Sequence, residues 1–337
     1  MLINSVSLVN FRNHDQYKLV CNPSTTLILG SNGWGKTSIL EAIYILTRGK
    51  SFRATDQDII KRGADFYRIE LQYDNGEKSI ATYDGKIKTF KTMDKTSRRL
   101  PTKSKYPVIL FEPHDLNLIS GPPSRRRDYF DRIISDQNEE YASTLSKFNK
   151  ALRQRNELLK SDNLAPSSLF AWNLLLANLG SDLSSARNDY INNINQVIGD
   201  TYYSIAENSD TISLAYSTYK PDITKEEYLY YLERNFDKDR ILGYTSFGVQ
   251  RDTIDFIFNH TLADGSASRG ETRSIILALK FVEAKLITKK QNKKPLILLD
   301  DVFSELDDKR RKCLVNNFRD HQVIITSVEQ PEWHLRG

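Results

Sequence analysis

Cysteine is nearly absent from the chain: only Cys21 and Cys313 occur in 337 residues. Two residues so far apart cannot build the disulfide framework of a small secreted protein, and low cysteine content suits a reducing, intracellular compartment. No apolar run approaches the ~20 residues that a membrane-spanning helix needs. The first residues, MLINSVSLVNF, hold neither a basic leader nor an apolar run of signal-peptide length. The sequence therefore predicts a soluble, cytoplasmic protein that has no membrane partner.

Neither sign of charge dominates, since 48 Lys and Arg stand against 43 Asp and Glu. The basic residues are unevenly distributed, however: residues 86–105 hold eight of them against one acid, and three arginines follow at 125–127. Such a segment is typical of a solvated loop or of a surface that binds an anionic partner such as nucleic acid. The candidates for DNA contact are Lys86, Lys88, Lys91, Arg98, Arg99, Arg125 and Arg126.

The pattern of apolar residues divides the chain into three parts. Three short strand candidates with tight turns between them, at 67–73, 78–84 and 86–92, predict an antiparallel meander in the first part. The middle part is charged and helix-periodic in two stretches, at about 124–160 and 167–207, and residues 225–239 resemble another helix. The last part alternates strands with helices, which implies a parallel sheet with crossover helices. We expect an α/β fold with a helical insertion.

Residues 30–37, GSNGWGKT, fit the pattern G-x-x-x-x-G-K-[ST] between a buried strand and a helix. Glycines let the backbone N–H groups curl around phosphates, Lys36 supplies a cation, and the Thr37 hydroxyl can ligate Mg²⁺. The alternative, an ordinary glycine-rich turn, does not explain the strand and helix on either side. The predicted ATP-binding residues are Gly30, Ser31, Asn32, Gly33, Trp34, Gly35, Lys36, Thr37 and Ser38.

The run LILLDD at 296–301 is a buried strand that ends in two acids. A strand of this kind delivers a carboxylate to the sheet edge where a nucleotide-bound metal lies. We expect Asp300 to hold Mg²⁺ and Asp301 to orient or deprotonate the attacking water. Adjacent acids also commonly cap a following helix, which is the alternative role for Asp300 and Asp301. Asp307 and Asp308 are a second pair of acids that could provide this cap. Lys36, Asp300 and Asp301 are the catalytic candidates.

Ser268, Arg269, Gly270 and Glu271 precede a predicted helix. By themselves these residues are typical of a helix N-cap with an acid in the first turn. Together with the phosphate loop, the acidic strand and SELD at 304–307, their order resembles the ATPase heads of the ABC and SMC superfamily. The resemblance implies an ABC-type P-loop head in which the Ser-x-Gly motif contacts the ATP of a second subunit, so that two molecules enclose two ATPs.

Within that superfamily the chain resembles the RecF family over nearly its full length. The matching blocks are residues 10–13 (NFRN), 49–53 (GKSFR), 111–116 (FEPHDL), 123–127 (PSRRR) and 248–252 (GVQRD). The resemblance implies a discontinuous ATPase lobe over 1–110 and 240–337 and a mainly helical insertion over 111–239. It also implies a basic residue, Arg12, near the nucleotide phosphates, although a solvated Arg12 is equally consistent with the sequence.

The family further implies a function. It is an ATP-dependent clamp that forms a homodimer with ATP and Mg²⁺ and binds double-stranded or gapped DNA in recombinational repair, replication restart and the SOS response. Its partners are the mediators RecR and RecO, which load recombinase, and its DNA-stimulated ATP hydrolysis is slow. The chain departs from the family at Trp34, at Glu271 in place of Gln, and at Val249-Gln250 in place of Pro-His.

Three alternatives are weighed against this interpretation. A small-molecule kinase with the same loop gives no reason for the Ser-x-Gly motif or the basic segment. A transporter's ATPase subunit is disfavoured because Thr326-Ser327 stands where such proteins place a histidine. Another DNA-repair or defence ATPase of the same superfamily stays open at this point.

Overall fold

The computed structural model describes residues 2–93, 95–161, 165–220 and 222–328. The chain divides into two compact units. The first unit comprises Met1–Asp115 and Glu283–Gly337, and the second unit comprises Leu116–Val282. Residues 240–282, which the sequence assigns to the ATPase lobe, cluster with the second unit. The domain boundaries at 110/111 and 239/240 stay a prediction.

Strands occur in both units, and their pairing defines three sheets. The strands are β1 (Ile3–Phe11), β2 (His14–Val20), β3 (Thr25–Leu29), β4 (Tyr67–Tyr73), β5 (Lys78–Tyr83), β6 (Lys88–Thr92), β7 (Lys95–Ser97), β8 (Val108–Phe111), β9 (Ile212–Ser217), β10 (Thr253–Phe258), β11 (Thr261–Leu262), β12 (Leu296–Asp300) and β13 (Val323–Ser327).

The helices are concentrated in the second unit. They are α1 (Lys36–Arg48), α2 (Asp56–Ile59), α3 (Asn117–Ser120), α4 (Pro123–Gln137), α5 (Glu139–Leu159), α6 (Phe170–Ala206), α7 (Lys225–Arg234), α8 (Phe236–Leu242), the kinked turn α9 (Ala263–Ser266), α10 (Arg269–Gln291) and α11 (Asp308–Phe318). In the described part of the chain, none of them combines the length and apolar character required to cross a membrane.

The first unit is built from two sheets with α1 packed against strands of both. The antiparallel sheet has the order β2-β1-β4-β5-β6-β7, and the parallel sheet has the order β3-β13-β12-β8. In β4 the side chains at 67, 69, 71 and 73 are buried and alternate with less buried neighbours, the period-2 pattern of a sheet with one covered face. All five residues of β12 are buried, as expected for a parallel strand covered on both faces.

The second unit is mainly helical, and a small antiparallel sheet of order β11-β10-β9 belongs to it. Its longest helix, α6, has 37 residues, which corresponds to a length of about 55 Å. A buried arginine, Arg155, ties three segments of this unit together. Its guanidinium donates to Asp239 Oδ2 at 2.7 Å, to Asn173 Oδ1 at 2.7 Å and to Thr245 Oγ1 at 2.8 Å. These partners compensate the desolvation of a charge that is 0% exposed.

The predicted α/β class is confirmed, with its antiparallel meander, parallel sheet and helical region. Two predicted helical stretches are interrupted. The stretch from 124 to 160 breaks at Asn138, whose side chain accepts from Glu140 and Tyr141 N–H groups and so caps α5. The stretch from 225 to 239 breaks at Asn235, between α7 and α8. Both breaks follow from asparagine's preference for helix ends.

Candidate active site

The loop between β3 and α1 holds residues 30–37 in a tight curl. Gly33 and Gly35 have φ angles of 84° and 102°, in the left-handed region that only glycine enters without strain. A Cβ at Gly35 would lie 2.6 Å from His14 Nε2. The loop therefore requires glycine at 33 for its conformation and at 35 for both conformation and space.

The β1–β2 hairpin supports this loop from one side. Asn13 Nδ2 donates to the Gly33 carbonyl oxygen at 3.0 Å, and His14 Nε2 lies 3.1 Å from the Gly35 carbonyl oxygen. The Trp34 ring meets the rings of His14 and Tyr17 edge-on at 5.5 and 5.4 Å. The bulky Trp34 is thus accommodated by an aromatic cluster on the hairpin, an arrangement that the sequence alone did not predict.

The amino end of α1 suits an anion. Gly35 provides no side-chain cap, and the first N–H groups of a helix have no intrahelical acceptor and carry the positive end of its dipole. Lys36 Nζ donates to the carbonyl oxygens of Gly30 at 2.6 Å and Ser31 at 3.2 Å. The lysine is thereby held beside the loop, where its charge would add to the N–H groups in binding phosphate.

Asp300 closes the site at the end of β12. The Thr37 hydroxyl donates to Asp300 Oδ1 at 2.8 Å, and the Thr326 hydroxyl donates to the same oxygen at 2.9 Å. Burial raises the pKa of the Asp300 carboxyl, and the two hydroxyl donors offset part of that rise. A hydroxyl and a carboxylate in contact form an oxygen pair of the kind that Mg²⁺ prefers.

Asp301 follows in a left-handed conformation, with φ of 53°. Its N–H donates to Thr326 Oγ1 at 2.9 Å, which fixes the turn that leaves the strand. A non-glycine residue is rare in this region of φ, and such conformations cluster at functional sites. Asp300 and Asp301 thus differ in position: Asp300 bonds Thr37, whereas Asp301 lines the adjoining cavity.

A buried carboxylate, Glu41, holds two arginines beside the loop. Arg12 donates to it from Nε at 2.9 Å and from Nη2 at 2.8 Å, and Arg53 donates from Nε at 3.1 Å and from Nη2 at 2.9 Å. The Ser51 hydroxyl adds a bond of 2.6 Å. Burial raises the pKa of Glu41, but the donors outweigh it and the pKa lies below its usual value. Glu41 is therefore ionised, and it is the fully buried partner in two ion pairs, one with Arg12 and one with Arg53.

Sequence reasoning missed the roles of Glu41 and Arg53. A signal exists: Glu41 is the single charged residue of the helical run TSILEAIYILT, and the other residues from 39 to 46 are apolar or aromatic. A buried carboxylate requires charged or hydrogen-bonded partners, so the position predicts nearby arginines. Which arginines they are depends on the tertiary structure, because Arg12 and Arg53 lie 29 and 12 residues from Glu41.

Beside these groups lies a cavity of about 640 Å³ in the first unit, and neither Asp300 nor Glu41 is on its lining. A volume of this size accommodates a nucleotide-sized ligand. The residues that line it are Arg12, Asn13, Ser31, Asn32, Gly33, Gly35, Lys36, Thr37, Ser38, Arg53, Ala54, Asp58 and Asp301.

The Ser-x-Gly motif lies at the start of α10. The Ser268 N–H donates to Glu271 Oε2 at 2.7 Å, and the Glu271 N–H donates to Ser268 Oγ at 3.3 Å. This reciprocal pair is a capping box. Glu271, the departure from the family's usual Gln, thus has a local structural role, and Ser268 and Arg269 are exposed. The side chains of Ser304 and Glu305, in the motif after β12, lie outside what the structure describes.

The basic residues of the meander do not form one uniform surface. Lys88 is committed to Asp56, with Nζ at 2.8 Å from the carboxylate, and its side chain is 15% exposed. The other four DNA-contact candidates of this segment, Lys86, Lys91, Arg98 and Arg99, are exposed. Lys95, Lys103 and Lys105 are exposed as well, so all these side chains are accessible to a polyanion.

The arginines at 125–127 belong to the second unit and differ in exposure. Arg125 is exposed. Arg126 is buried and donates to the Gly121 carbonyl oxygen at 2.8 Å and to Asp255 Oδ1 at 2.9 Å. Arg127 donates to the Asp252 carbonyl oxygen at 2.6 Å. Arg126 therefore has a structural position, and a DNA-contacting surface that includes it would have to break its ion pair with Asp255.

Comparisons with known proteins agree with this geometry. A family model described as AAA ATPase domain matches residues 1–164. Among curated relatives, the DNA replication and repair protein RecF of Lachnospira eligens is 32% identical, over 99% of this chain and 94% of its own. The RecF of Ruminiclostridium cellulolyticum is 31% identical, over 98% of this chain and 93% of its own.

Solved structures lead to the same family. The structure of the recombination mediator protein RecF-ATP in the RecFOR pathway is 26% identical, covers 98% of this chain and 93% of its own, and has a TM-score of 0.88. An SMC head bound to the C-terminal winged-helix domain of ScpA has a TM-score of 0.58 at 14% identity, over 98% of this chain and 90% of its own, which shows a shared fold. The predicted ABC/SMC-type head is therefore confirmed, and the chain belongs to the RecF family of DNA replication and repair proteins.

Proposed function

We propose that the chain is an ATP-dependent DNA clamp. In this proposal ATP brings two molecules together, the dimer binds double-stranded or gapped DNA, and hydrolysis releases it during recombinational repair and replication restart. The observation that carries the proposal is the hydrogen bond between Thr37 and Asp300 at 2.8 Å. It joins the phosphate loop to the acidic strand beside one cavity, which is the arrangement that a P-loop ATPase requires.

The residues around the loop fit ATP. The glycines at 33 and 35 curl the backbone, α1 directs its uncapped amino end at the cavity lining, and Lys36 is at hand as a cation. Arg12 and Arg53 add two guanidinium groups, which match phosphate oxygens in charge and geometry. Together these donors would hold the triphosphate, and Ser38 and the remaining loop residues would complete the cradle.

Thr37 and Asp300 would hold Mg²⁺, which supplies neutralisation of the phosphate charge when bound. Both oxygens already lie within hydrogen-bond distance of each other. Asp300 must be ionised for this role; burial raises the pKa of its carboxyl, and the hydroxyl donors Thr37 and Thr326 offset part of that rise. Asp301 would orient the attacking water or accept its proton, because it lies on the cavity side of the strand end.

Dimerisation would place Ser268, Arg269 and Gly270 of one molecule against the ATP of the other. The exposed capping box at the start of a 23-residue helix supports this proposal, since such an end offers N–H groups and a hydroxyl to an anion. The carboxylate of Glu271 is bonded to the Ser268 N–H and is therefore partly neutralised there.

DNA would bind through exposed basic residues by contact with backbone phosphates. The proposed contacts are Lys86, Lys91, Arg98, Arg99 and Arg125, whereas Lys88 and Arg126 are left out because each is held in an ion pair and only 15% and 10% of their side chains are exposed. A slow ATPase that DNA stimulates would couple this surface to the cycle. The mediators RecR and RecO are proposed as partners because the relatives' structures are assigned to the RecFOR pathway.

The test is the oligomeric state of the purified chain. Sedimentation is measured with ATP, with ADP and without nucleotide, each with and without a duplex, and turnover is measured in parallel. We expect a dimer with ATP only, and faster turnover with duplex DNA. A chain that stays monomeric at saturating ATP, or that hydrolyses ATP at the same rate with and without DNA, would contradict the clamp.

A further inference from the structure

A second cavity lies in the first unit, away from the phosphate loop. Its volume is about 440 Å³. Its lining includes Leu296, the first residue of β12, and Gln322, which directly precedes β13. Asp300 and Ser327 end the same two strands. The second cavity is therefore at the amino ends of the parallel strands, opposite the edge that carries the candidate active site.

The wall of this cavity combines apolar and polar groups. Tyr73 and Leu296 are buried, and Ser79 and Thr92 contribute buried hydroxyls. The basic residues on the lining are all lysines, and one of them, Lys78, is paired with Glu70 at 2.8 Å. The others are Lys103, Lys105, Lys293 and Lys294. Glu77 and Asp320 are the acids among the described lining residues, so positive charge prevails at this site.

The lysines come from separate parts of the chain. Lys103 follows the meander, whereas Lys293 and Lys294 follow α10, and all three are exposed. Like charges raise one another's energy when they lie on one cavity. An anion bound among them would remove this repulsion. The folding of distant segments thus creates a charge concentration that neither segment has by itself.

His321 adds an independent observation. Both of its ring nitrogens are shielded from solvent and have no hydrogen-bond partner in the structure. Its ring packs edge-on against Phe318 at 5.5 Å, and the residue lines the cavity. Burial lowers the pKa of His321, and the nearby Lys294 lowers it further. A neutral imidazole offers one donor and one acceptor, and buried polar atoms of this kind are nearly always paired.

We propose that this cavity is a second anion site, which binds a phosphate group on a ligand of nucleotide size. The phosphate would lie among the lysines, whose ammonium groups act as point charges toward phosphate. The flat part of the ligand would lie against the Tyr73 side of the wall, and the His321 ring would turn toward the cavity so that one of its shielded nitrogens forms the missing hydrogen bond. A phosphate suits several lysines better than a carboxylate does, because it has more charge to neutralise.

Two sources share this chemistry, namely a free nucleotide and the terminal phosphate of a DNA strand. The first probe is AMP, titrated into Lys36→Ala protein so that the phosphate loop does not contribute. Binding is followed calorimetrically and by the ¹⁵N resonances of the His321 imidazole, assigned by comparison with His321→Phe. The second probe is a DNA hairpin that differs only in the presence of a 5′ phosphate.

We expect saturable binding of AMP or a preference for the phosphorylated hairpin, and a shift of the His321 resonances with it. Lys103→Ala combined with Lys294→Ala should weaken the binding at least tenfold. The matched control, Lys147→Ala combined with Lys150→Ala on α5, removes the same charge from exposed positions of the second unit and should change it less than twofold.

His321→Phe separates ligand binding from folding. It removes both unpaired nitrogens, so it should not lower the thermal midpoint, yet it should weaken the binding. The proposal is overturned if neither probe binds at about 5 mM, a concentration at which a millimolar site is mostly filled. It is equally overturned if the α5 control weakens the binding as much as the cavity lysines do. AMP binding assigns the site to a nucleotide, and hairpin binding assigns it to a strand end.

Discussion

Glu41→Gln tests the view that one buried carboxylate organises the active site. The substitution keeps the size of the side chain and one carbonyl oxygen, but it removes the charge that Arg12 and Arg53 share. The Glu41 side chain is 0% exposed, whereas those of Arg12 and Arg53 are 20% and 36% exposed. Removing one partner of a fully buried ion pair costs about 3–5 kcal/mol.

Partial exposure of the arginines reduces this loss, since water can take over some of their hydrogen bonds. We therefore expect Glu41→Gln to lower the free energy of unfolding by about 2–4 kcal/mol. The matched control is Glu70→Gln, which removes a carboxylate that Arg68 and Lys78 contact on the surface at 2.9 and 2.8 Å. Surface pairs contribute about 0–1 kcal/mol, so the control should remain close to wild type.

The assay is urea unfolding, together with hydrogen exchange of the α1 amides, which reports on the helix that carries Glu41. ATP affinity is measured on the same variants, and we expect it to fall about tenfold, or about 1.4 kcal/mol, because both arginines lose their fixed orientation. If Glu41→Gln unfolds like Glu70→Gln and binds ATP like wild type, the carboxylate does not organise the site.

The sign of the pH dependence follows from the lowered pKa of Glu41. The folded state binds its proton less readily than the unfolded chain, whose glutamates titrate near pH 4.3, at about the usual value. The ion pairs therefore stabilise the fold above that pH, and their contribution is lost as the pH falls through the lower, folded value. Wild type and Glu41→Gln should converge in stability as the pH is lowered below about 4, while they differ most at neutral pH.

The remaining predictions concern the proposed cycle. Lys36→Ala should abolish ATP binding in a nucleotide titration while the circular dichroism spectrum is retained. Near-normal affinity would show that the phosphate loop does not bind ATP. Asp301→Asn should keep ATP binding and dimerisation but slow hydrolysis by about 10²-fold or more; unchanged turnover would move the base to another residue. Ser268→Arg should block ATP-dependent dimerisation and leave monomer affinity intact, whereas Ser268→Ala, which loses the hydroxyl and its helix cap but adds no bulk, should still dimerise. Mixing Ser268→Arg with Lys36→Ala subunits should restore one composite site, and wild-type dimerisation of Ser268→Arg alone would refute the trans arrangement. Neutralising four of the exposed basic residues of the meander should weaken duplex binding and reduce the slope of log K against log salt by about 0.9 for each DNA phosphate that the protein no longer neutralises; an unchanged slope would indicate that the segment is a solvated loop. These four are Lys86, Lys91, Arg98 and Arg99.

Much of the secondary structure could be predicted from the pattern of neighbouring residues. Apolar alternation predicts the strand at 253–258 with the bounds that the structure has, and helical spacing predicts helices at 37–47 and 307–318, each within one residue of the observed start of α1 and α11. The strand His14–Val20 was missed because its polar residues dilute the apolar pattern. The strand Val108–Phe111 was missed because all four of its residues are buried. Such a short apolar run has no alternation, and periodicity alone cannot distinguish it from a buried helix segment.

In the candidate active site, too, some features can be predicted from local sequence and others cannot. The phosphate loop is a contiguous motif, and its function depends on backbone curvature that glycine at 33 and 35 encodes locally. The acidic strand is likewise recognisable from its own residues. The contact between Thr37 and Asp300 is different, because it joins residues 263 positions apart. Only the pairing of β3, β13 and β12 brings the ends of these strands to one edge.

The sequence by itself determined that the chain has a phosphate loop, an acidic strand and a helical middle, since each depends on neighbouring residues. The tertiary structure determined which partner each of several charged side chains has. It committed Lys88 to Asp56 and Arg126 to Asp255, and it directed Arg12 and Arg53 to Glu41. It also gathered lysines from distant segments around the cavity that His321 lines. The physical reason is that a charge acts on whatever lies within a few ångströms of it, and chain folding, not chain order, sets those distances.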